Sequence, residues 1–260
     1  MEDTNLKYGI CHLPIIPLRA TADDRSEMIS QVLFGEHFMI IEKTEKWIRI
    51  KLLADTYEGW IDKKQFIPVS KGLYAEFEKS NKVFTTELFN EVAASSGTLH
   101  IPLGAVLPFY MNKQFKISEN AFQIFDDVKR LEYNPEILKE ITYKFLNTPY
   151  LWGGKSIFGI DCSGFTQVVF SLFGVQLLRD AKLQAEQGEL VPFLEQVKVG
   201  DLAFFENQEG SITHVGIILQ DKKIIHAHGQ VRIDRLDQEG IYNSTLQKYS
   251  HKLRLVKRYF

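Results

Sequence analysis

Cysteine is scarce in this chain: 260 residues contain two, Cys11 and Cys162. Two cysteines cannot build the disulfide framework that staples small secreted domains, and a reactive thiol kept reduced suits a reducing compartment. Long apolar runs are also missing, since none reaches the roughly 18 residues that read as a membrane-spanning helix. The opening Met1-Glu2-Asp3-Thr4-Asn5 is polar and acidic, without the basic start and apolar stretch of an export signal. The expectation is a cytoplasmic chain; one shorn of an export signal and working in the cell envelope reads the same. Positive charge is in no excess, with 31 Lys+Arg against 33 Asp+Glu and a formal net charge of −2. That leaves no electrostatic footprint for nucleic acid or an anionic membrane. Gly/Ser-rich and Pro-rich linkers are absent as well, which predicts domains that pack together.

What is present centres on Cys162. It stands in Asp161-Cys162-Ser163-Gly164, directly before Phe165, Val168, Val169, Leu172 and Phe173, whose three- and four-residue spacing predicts a helix stopped by Gly174. A thiol in the first turn of a helix faces unpaired backbone N–H groups and the positive end of the macrodipole, which favour the thiolate and lower its pKa. Asp161 reads as the cap of that helix. An ordinary buried cysteine satisfies the same pattern. Downstream, Ile212–Leu219 and Lys223–His228 read as two strands joined by Gln220-Asp221-Lys222. In an antiparallel hairpin His214 and His226 share a face if the register is even; one imidazole then takes the thiol proton while the other orients it. Structural histidines remain an equal reading of these residues. A zinc site on His226 and His228, which share a strand face, with His214 and Cys162 is a minor alternative.

Several separated strings agree in order and spacing: Pro149-Tyr150-Leu151-Trp152-Gly153-Gly154, Asp161-Cys162-Ser163-Gly164, Val199-Gly200-Asp201-Leu202, Thr213-His214-Val215-Gly216-Ile217 and Ile225-His226-Ala227. Together they resemble the NlpC-type cysteine peptidases of bacterial cell-wall metabolism, over about the last half of the chain. The resemblance implies an α+β, papain-like domain with an antiparallel sheet and N-terminal helices. It implies Cys162 as nucleophile, His214 as general base and His226 as orienting residue, with Tyr150 and Ser163 placing the substrate and its oxyanion. No cofactor and no metal are implied.

Ahead of that domain, Phe38–Ile41, Trp47–Leu52, Gly59–Ile61 and Phe66–Pro68 are short apolar or alternating runs between turn residues, the mark of a small all-β barrel. Leu33-Phe34-Gly35-Glu36, Trp47 and Tyr57-Glu58-Gly59-Trp60 look like a bacterial SH3-type domain. Candidate strands at Val83–Thr85, Thr98–Ile101, Val106–Tyr110 and Phe115–Ile117 suggest a second, diverged barrel. Asn134 as cap and Pro135 at the first helical position open a helix with Ile137, Leu138, Ile141, Phe145 and Leu146 on one stripe. The expected domains are 1–70, 71–127 and 128–260.

Peptidases of this family preceded by such barrels resemble the γ-D-glutamyl-L-diamino acid endopeptidases that trim murein stem peptides bearing a free N-terminal L-alanine. That resemblance implies a stem peptide as partner, with Glu27, Tyr57 and Asp180 as acceptors for its ammonium group. Protein partners are not indicated. Hydrolysis of intact peptidoglycan with the barrels as targeting modules, acyl transfer on the same scaffold, and an inactive wall-binding adaptor stay open as alternatives.

Overall fold

A computed structural model describes residues 7–95 and 97–260, and its contacts fall into two units, residues 1–131 and 132–260. In the first unit the alternating runs become strands β1 (Tyr8–Ile10), β2 (Ile15–Arg19), β3 (Met28–Leu33), β4 (His37–Lys43), β5 (Trp47–Leu52), β6 (Glu58–Asp62) and β7 (Ile67–Pro68). They form one antiparallel sheet in the order β3-β2-β6-β5-β4-β1-β7. Ile16, Leu18, Val32, Phe38, Ile48, Ile50, Leu52 and Ile61 pack inside it together with Cys11, which lies just past β1 and not within a strand.

Residues after 70 open with a helix, α1 (Lys71–Lys79), where no helix is expected from the runs above. Ser70 caps it by accepting from the N–H of Leu73 (3.1 Å), and Tyr74 and Phe77 are its buried residues. Strands β8 (Phe89–Ala94), β9 (Gly97–Pro102), β10 (Gln114–Ile117) and β11 (Asn120–Ile124) follow as a four-stranded sheet in the order β10-β11-β8-β9. Its core mixes Val92, Ile101, Phe115, Ile117 and Phe122 with Ile10 of β1 and with Phe34 and Val69, which lie just past β3 and β7.

The second unit begins with α2 (Pro135–Lys144), capped by the Asn134 side chain, which accepts from the N–H groups of Glu136 (2.9 Å) and Ile137 (3.3 Å). Leu138, Ile141 and Phe145 are buried as the stripe predicts, whereas Ile137 faces outward at 36% exposure. A two-stranded ribbon, β12 (Lys155–Ser156) and β13 (Gly159–Ile160), leads into α3 (Cys162–Ser171), then α4 (Ala181–Gln184). Every residue of α3 from Cys162 to Phe170 is buried, which accounts for its apolar circumference.

The remaining strands are β14 (Glu189–Val191), β15 (Leu202–Glu206), β16 (Ile212–Ile218), β17 (Lys223–His228), β18 (Gln230–Leu236), β19 (Gly240–Asn243) and β20 (Lys248–Arg258). All pair antiparallel in the order β14-β20-β15-β16-β17-β18-β19, and β19 also pairs with β20, so the sheet closes on itself. Closure removes the exposed edges that an open sheet leaves. Ala203, Phe205, Ile218, Ile224, Leu236, Ile241 and Val256 form one buried cluster on the inner face. The β16–β17 turn carries positive φ at Asp221 (58°) and Lys222 (54°), the twist that a tight hairpin favours. Among the described residues no helix is long and apolar enough to cross a membrane.

Candidate active site

Cys162 occupies the first position of α3, and Asp161 is the cap, accepting at Oδ1 from the N–H of Gly164 (2.7 Å). The same carboxylate accepts at Oδ2 from the N–H of Gly153 (2.8 Å). It is also clamped by Arg179, through Nη1 to Oδ1 (3.1 Å) and Nη2 to Oδ2 (2.5 Å). Arg179 is 2% exposed, so this is a buried, bidentate pair that fixes the approach to the helix. Close packing explains the glycines around it: a Cβ on Gly164 would collide with the carbonyl oxygen of Gly154, and one on Gly154 with that of Gly159.

The register of β16 and β17 pairs Ile217 with Ile225 and Ile218 with Ile224. Because alternate residues share a face, His214, Gly216 and Ile218 point to the same side as Ile224, His226 and His228. That is the inner face of the closed sheet, and the histidines end its apolar filling. A Cβ on Gly216 would lie 2.9 Å from the His226 Cβ, so the glycine lets the two strands approach there. The β15–β16 ladder shifts register between Phe205 and Glu206, beside His214, and such bulges re-aim side chains.

The rings are chained. His214 Nε2 and His226 Nδ1 lie 2.8 Å apart, and His226 Nε2 lies 3.0 Å from Asp234 Oδ2. An ionised carboxylate only accepts, so His226 carries its proton on Nε2 and accepts at Nδ1 from the Nε2–H of His214. The lone pair of His214 is then on Nδ1. Asp234 is itself held by Arg232, whose Nε and Nη2 donate to Oδ2 (2.7 Å) and Oδ1 (2.8 Å). His251 stacks on His214, ring centroids 4.1 Å apart and nearly parallel, and its centroid lies 5.7 Å from that of His226.

Burial keeps the imidazoles of this cluster neutral. Burial first, and then the neighbouring histidines, hold His214 well below 6.5, so it stands as a neutral base at neutral pH. Burial also lowers His226, against the opposing pull of Asp234. For Asp234 burial works upward, but hydrogen bonds from His226 and Arg232 outweigh it and the group stays low. Cys162 departs from the helix-terminus expectation: burial, then the Asp161 charge, push the thiol up to about 12. The N–H groups of Val215 and Ser163 and the Arg179 charge oppose this without overcoming it. The cost of burying an anion exceeds what one helix end returns. The resting pair is therefore thiol and neutral imidazole, with Cys162 set against the backbone N–H of the residue that follows His214.

Residues 147–250 match the NlpC/P60 family, and residues 18–66 match the bacterial dipeptidyl-peptidase Sh3 domain. A γ-D-glutamyl-L-lysine dipeptidyl-peptidase of Bacillus subtilis (strain 168) is 32% identical over 240 residues, covering 80% of this chain and 77% of the relative. The chain belongs to the NlpC/P60 family. Dipeptidyl-peptidase 6 of Lysinibacillus sphaericus is 27% identical over 257 residues, covering 85% of this chain and 89% of its own. An NlpC/P60 family protein from Bacillus cereus ATCC 10987 shares the fold, with a TM-score of 0.81 at 19% identity over 97% of this chain and 99% of that one. The α+β peptidase domain with an SH3-like β region before it, expected from the motifs, is thus shown, and the chain is an NlpC/P60 cysteine peptidase homologous to dipeptidyl-peptidases.

Within this NlpC/P60 domain Tyr150 belongs to the same neighbourhood. Burial, then the nearby Cys162 and Asp161, push its phenol up to about 12, so it keeps a proton to donate. The hydroxyl of Ser163 is taken up by the elbow: it donates to Asp161 Oδ1 (3.3 Å) and accepts from Arg179 Nη1 (2.9 Å). Asp180 is exposed at the start of α4 and makes no side-chain cap there. Glu27 is exposed ahead of β3, and Tyr57 is half-buried before β6, packed on the first-unit core. His228 is exposed, and the cluster whose nitrogens converge is His214, His226 and His251, not the His226–His228 set read from strand alternation. Sequence reasoning missed Asp234, Arg179 and His251. Asp234 carried a signal, since Arg232-x-Asp234 lies on a strand face just after the Gly229 turn; Arg179 and His251 reach the site only through long-range packing.

Proposed function

We propose that this peptidase hydrolyses the γ-D-glutamyl-L-diamino acid bond of murein stem peptides that carry a free N-terminal L-alanine. The observation that carries the reading is the hydrogen-bonded chain from His214 through His226 to Asp234, on a strand whose next residue after His214, Val215, turns its backbone N–H toward the thiol of Cys162 at the first turn of a buried helix. A base oriented by a second group, itself oriented by a third, is the arrangement nucleophilic acyl transfer requires.

Cys162 Sγ attacks the γ-glutamyl carbonyl carbon as its proton passes to Nδ1 of His214. The charge that develops on the carbonyl oxygen meets the Cys162 N–H, unpaired at the helix start, and the Tyr150 hydroxyl. Collapse breaks the C–N bond, His214 returns its proton to the departing diamino-acid amine, and a thioester remains. Water then attacks the thioester, losing a proton to His214, and the thiol is restored. His226 and Asp234 keep the donor end of His214 fixed, so its lone pair stays on the side of the sulfur.

The name of the Bacillus subtilis relative supports the bond chosen, since it describes a γ-D-glutamyl-L-lysine dipeptidyl-peptidase. The free amine is the finer part of the proposal. Glu27, Asp180 and Tyr57 are the acceptors that the family resemblance implies for it, since an ammonium group takes anionic or oxygen partners. Acetylation of the amine removes the positive charge that those oxygens would meet, which is the basis for discrimination. The test is mass spectrometry of digests of L-Ala-γ-D-Glu-L-Lys, its N-acetylated form and intact peptidoglycan. Cleavage of the first alone is expected. Equal cleavage of all three would sink the free-amine reading and recast the SH3-like region as a targeting module.

A further inference from the structure

We propose that His214, His226 and His251 form a three-histidine site for a zinc ion, and that its occupation switches the peptidase off. Each ring offers one nitrogen, and the three nitrogens lie within 4.8 Å of one another. Zinc bonds imidazole nitrogen at about 2.0–2.1 Å, which in tetrahedral geometry sets ligand nitrogens roughly 3.3 Å apart. His214 Nε2 and His226 Nδ1, now 2.8 Å apart, need separate only slightly, while His251, stacked on His214 with ring centroids 4.1 Å apart, must turn out of that stack to aim its nitrogen at the same point.

The outer shell is already built. Metal-bound histidines donate their second N–H to a carboxylate or other acceptor, which fixes the tautomer that coordinates. His226 has Asp234 on Nε2, so Nδ1 is the ligand; His251 has the Ser250 hydroxyl on Nδ1 (2.8 Å), so Nε2 is the ligand. The Asp234 carboxylate, one ring away, offsets part of the ion's charge. Access runs through His251, half-buried beside an open depression lined also by Glu206, Thr213 and Tyr249.

The same geometry explains why the ion inhibits. In the working tautomer His214 carries its proton on Nε2 and keeps Nδ1 free for the thiol. Coordination through Nε2 moves that proton to Nδ1, and the base can no longer accept one from Cys162. Three histidine ligands with a fourth position left to water complete a four-coordinate zinc.

Binding is tested without substrate, apart from the peptidase reading. Protein whose Cys162 has been alkylated with iodoacetamide is titrated with ZnCl₂ by calorimetry and with CoCl₂ by visible absorption. One ion per chain and the intense bands of tetrahedral cobalt are expected. His251→Gln, which keeps ring-like bulk, should weaken binding well beyond tenfold, Ser250→Ala by about tenfold, and His228→Ala should not change it. In unmodified enzyme zinc should inhibit reversibly, with EDTA restoring activity, and His251→Gln should need at least tenfold more zinc for the same inhibition. Near-ultraviolet circular dichroism establishes that each variant is folded, and His251→Ala serves if His251→Gln is not. Absence of binding in the alkylated protein, or binding unaffected in a folded His251 variant, would place the metal on the thiol and overturn the proposal.

Discussion

The two cysteines sit in opposite company although both are buried. Cys11, fully enclosed in the first unit, lies among Ile16, Leu18, Val32 and Phe38, and its Sγ faces the backbone carbonyls of Leu13 (3.2 Å) and Val32 (3.7 Å). Carbonyl oxygens accept hydrogen bonds, so both contacts are ones that a thiol makes and a thiolate cannot. Cys162, 6% exposed, has backbone N–H groups of Ser163 and Val215 toward the sulfur, a buried arginine close by and a neutral histidine next along the strand. Burial alone therefore does not distinguish a reactive thiol from a packed one. The difference lies in whether donors and a base converge on the sulfur, and in the second unit they are assembled by a helix start and a closed sheet.

The largest effect that sharpens this contrast is at the nucleophile. Cys162→Ala should reduce peptide hydrolysis to background with an unchanged thermal midpoint, and measurable turnover would mean that another group forms the acyl intermediate. Next comes the base. His214→Ala should cost about 10²–10⁴ in kcat, the usual worth of general base catalysis. His226→Ala and Asp234→Asn should cost less, because the base stays present but poorly oriented, and His226→Asn should retain more activity than His226→Ala. Equal, small losses at all three positions would reduce the histidines to structural residues.

A third test addresses the elbow. Arg179→Met leaves the Asp161 carboxylate buried without its charged partner, and breaking such a pair costs about 3–5 kcal/mol. Chemical denaturation should register that loss, and kcat should fall with it, since Asp161 fixes both the Gly153 loop and the helix that carries Cys162. A variant as stable as the wild type would show that the backbone N–H groups alone secure the cap. The smallest effect belongs to the other cysteine: Cys11→Ser should leave kcat/KM within about twofold, while stability drops by about 1–2 kcal/mol because a more polar hydroxyl enters an apolar core.

Local signals carried much of this site. The cap and first turn of α3, the hairpin with its Gln220-Asp221-Lys222 turn, and the Asn134-Pro135 helix start were legible because each rests on residues adjacent in sequence. Long-range pairing was not. Whether His214 and His226 met depended on register, which the pattern of β16 and β17 left open until Ile217 paired with Ile225. Arg179 lies 17 residues beyond Cys162, and His251 lies 25 beyond His226. Helix α1 precedes the candidate strands that begin at Val83, and its local signals are Ser70, a cap three residues before Leu73, and the buried pair Tyr74 and Phe77. The direction of the Cys162 shift was missed for a different reason: a helix start is visible in a sequence, but the depth at which the fold buries it is not.

The central claim is that Cys162 rests as a thiol and is activated only as its proton passes to a neutral His214. Its direct test is the second-order rate of Cys162 alkylation by iodoacetamide between pH 5 and 10, followed by mass spectrometry. Burial pushes the thiol up to about 12 and holds His214 well below 6.5, so the thiolate fraction is small throughout and grows with pH. The rate should rise continuously into the alkaline range, without a level region near neutrality. A plateau from below pH 6 to above pH 8 would mean a preformed thiolate–imidazolium pair and would contradict the account.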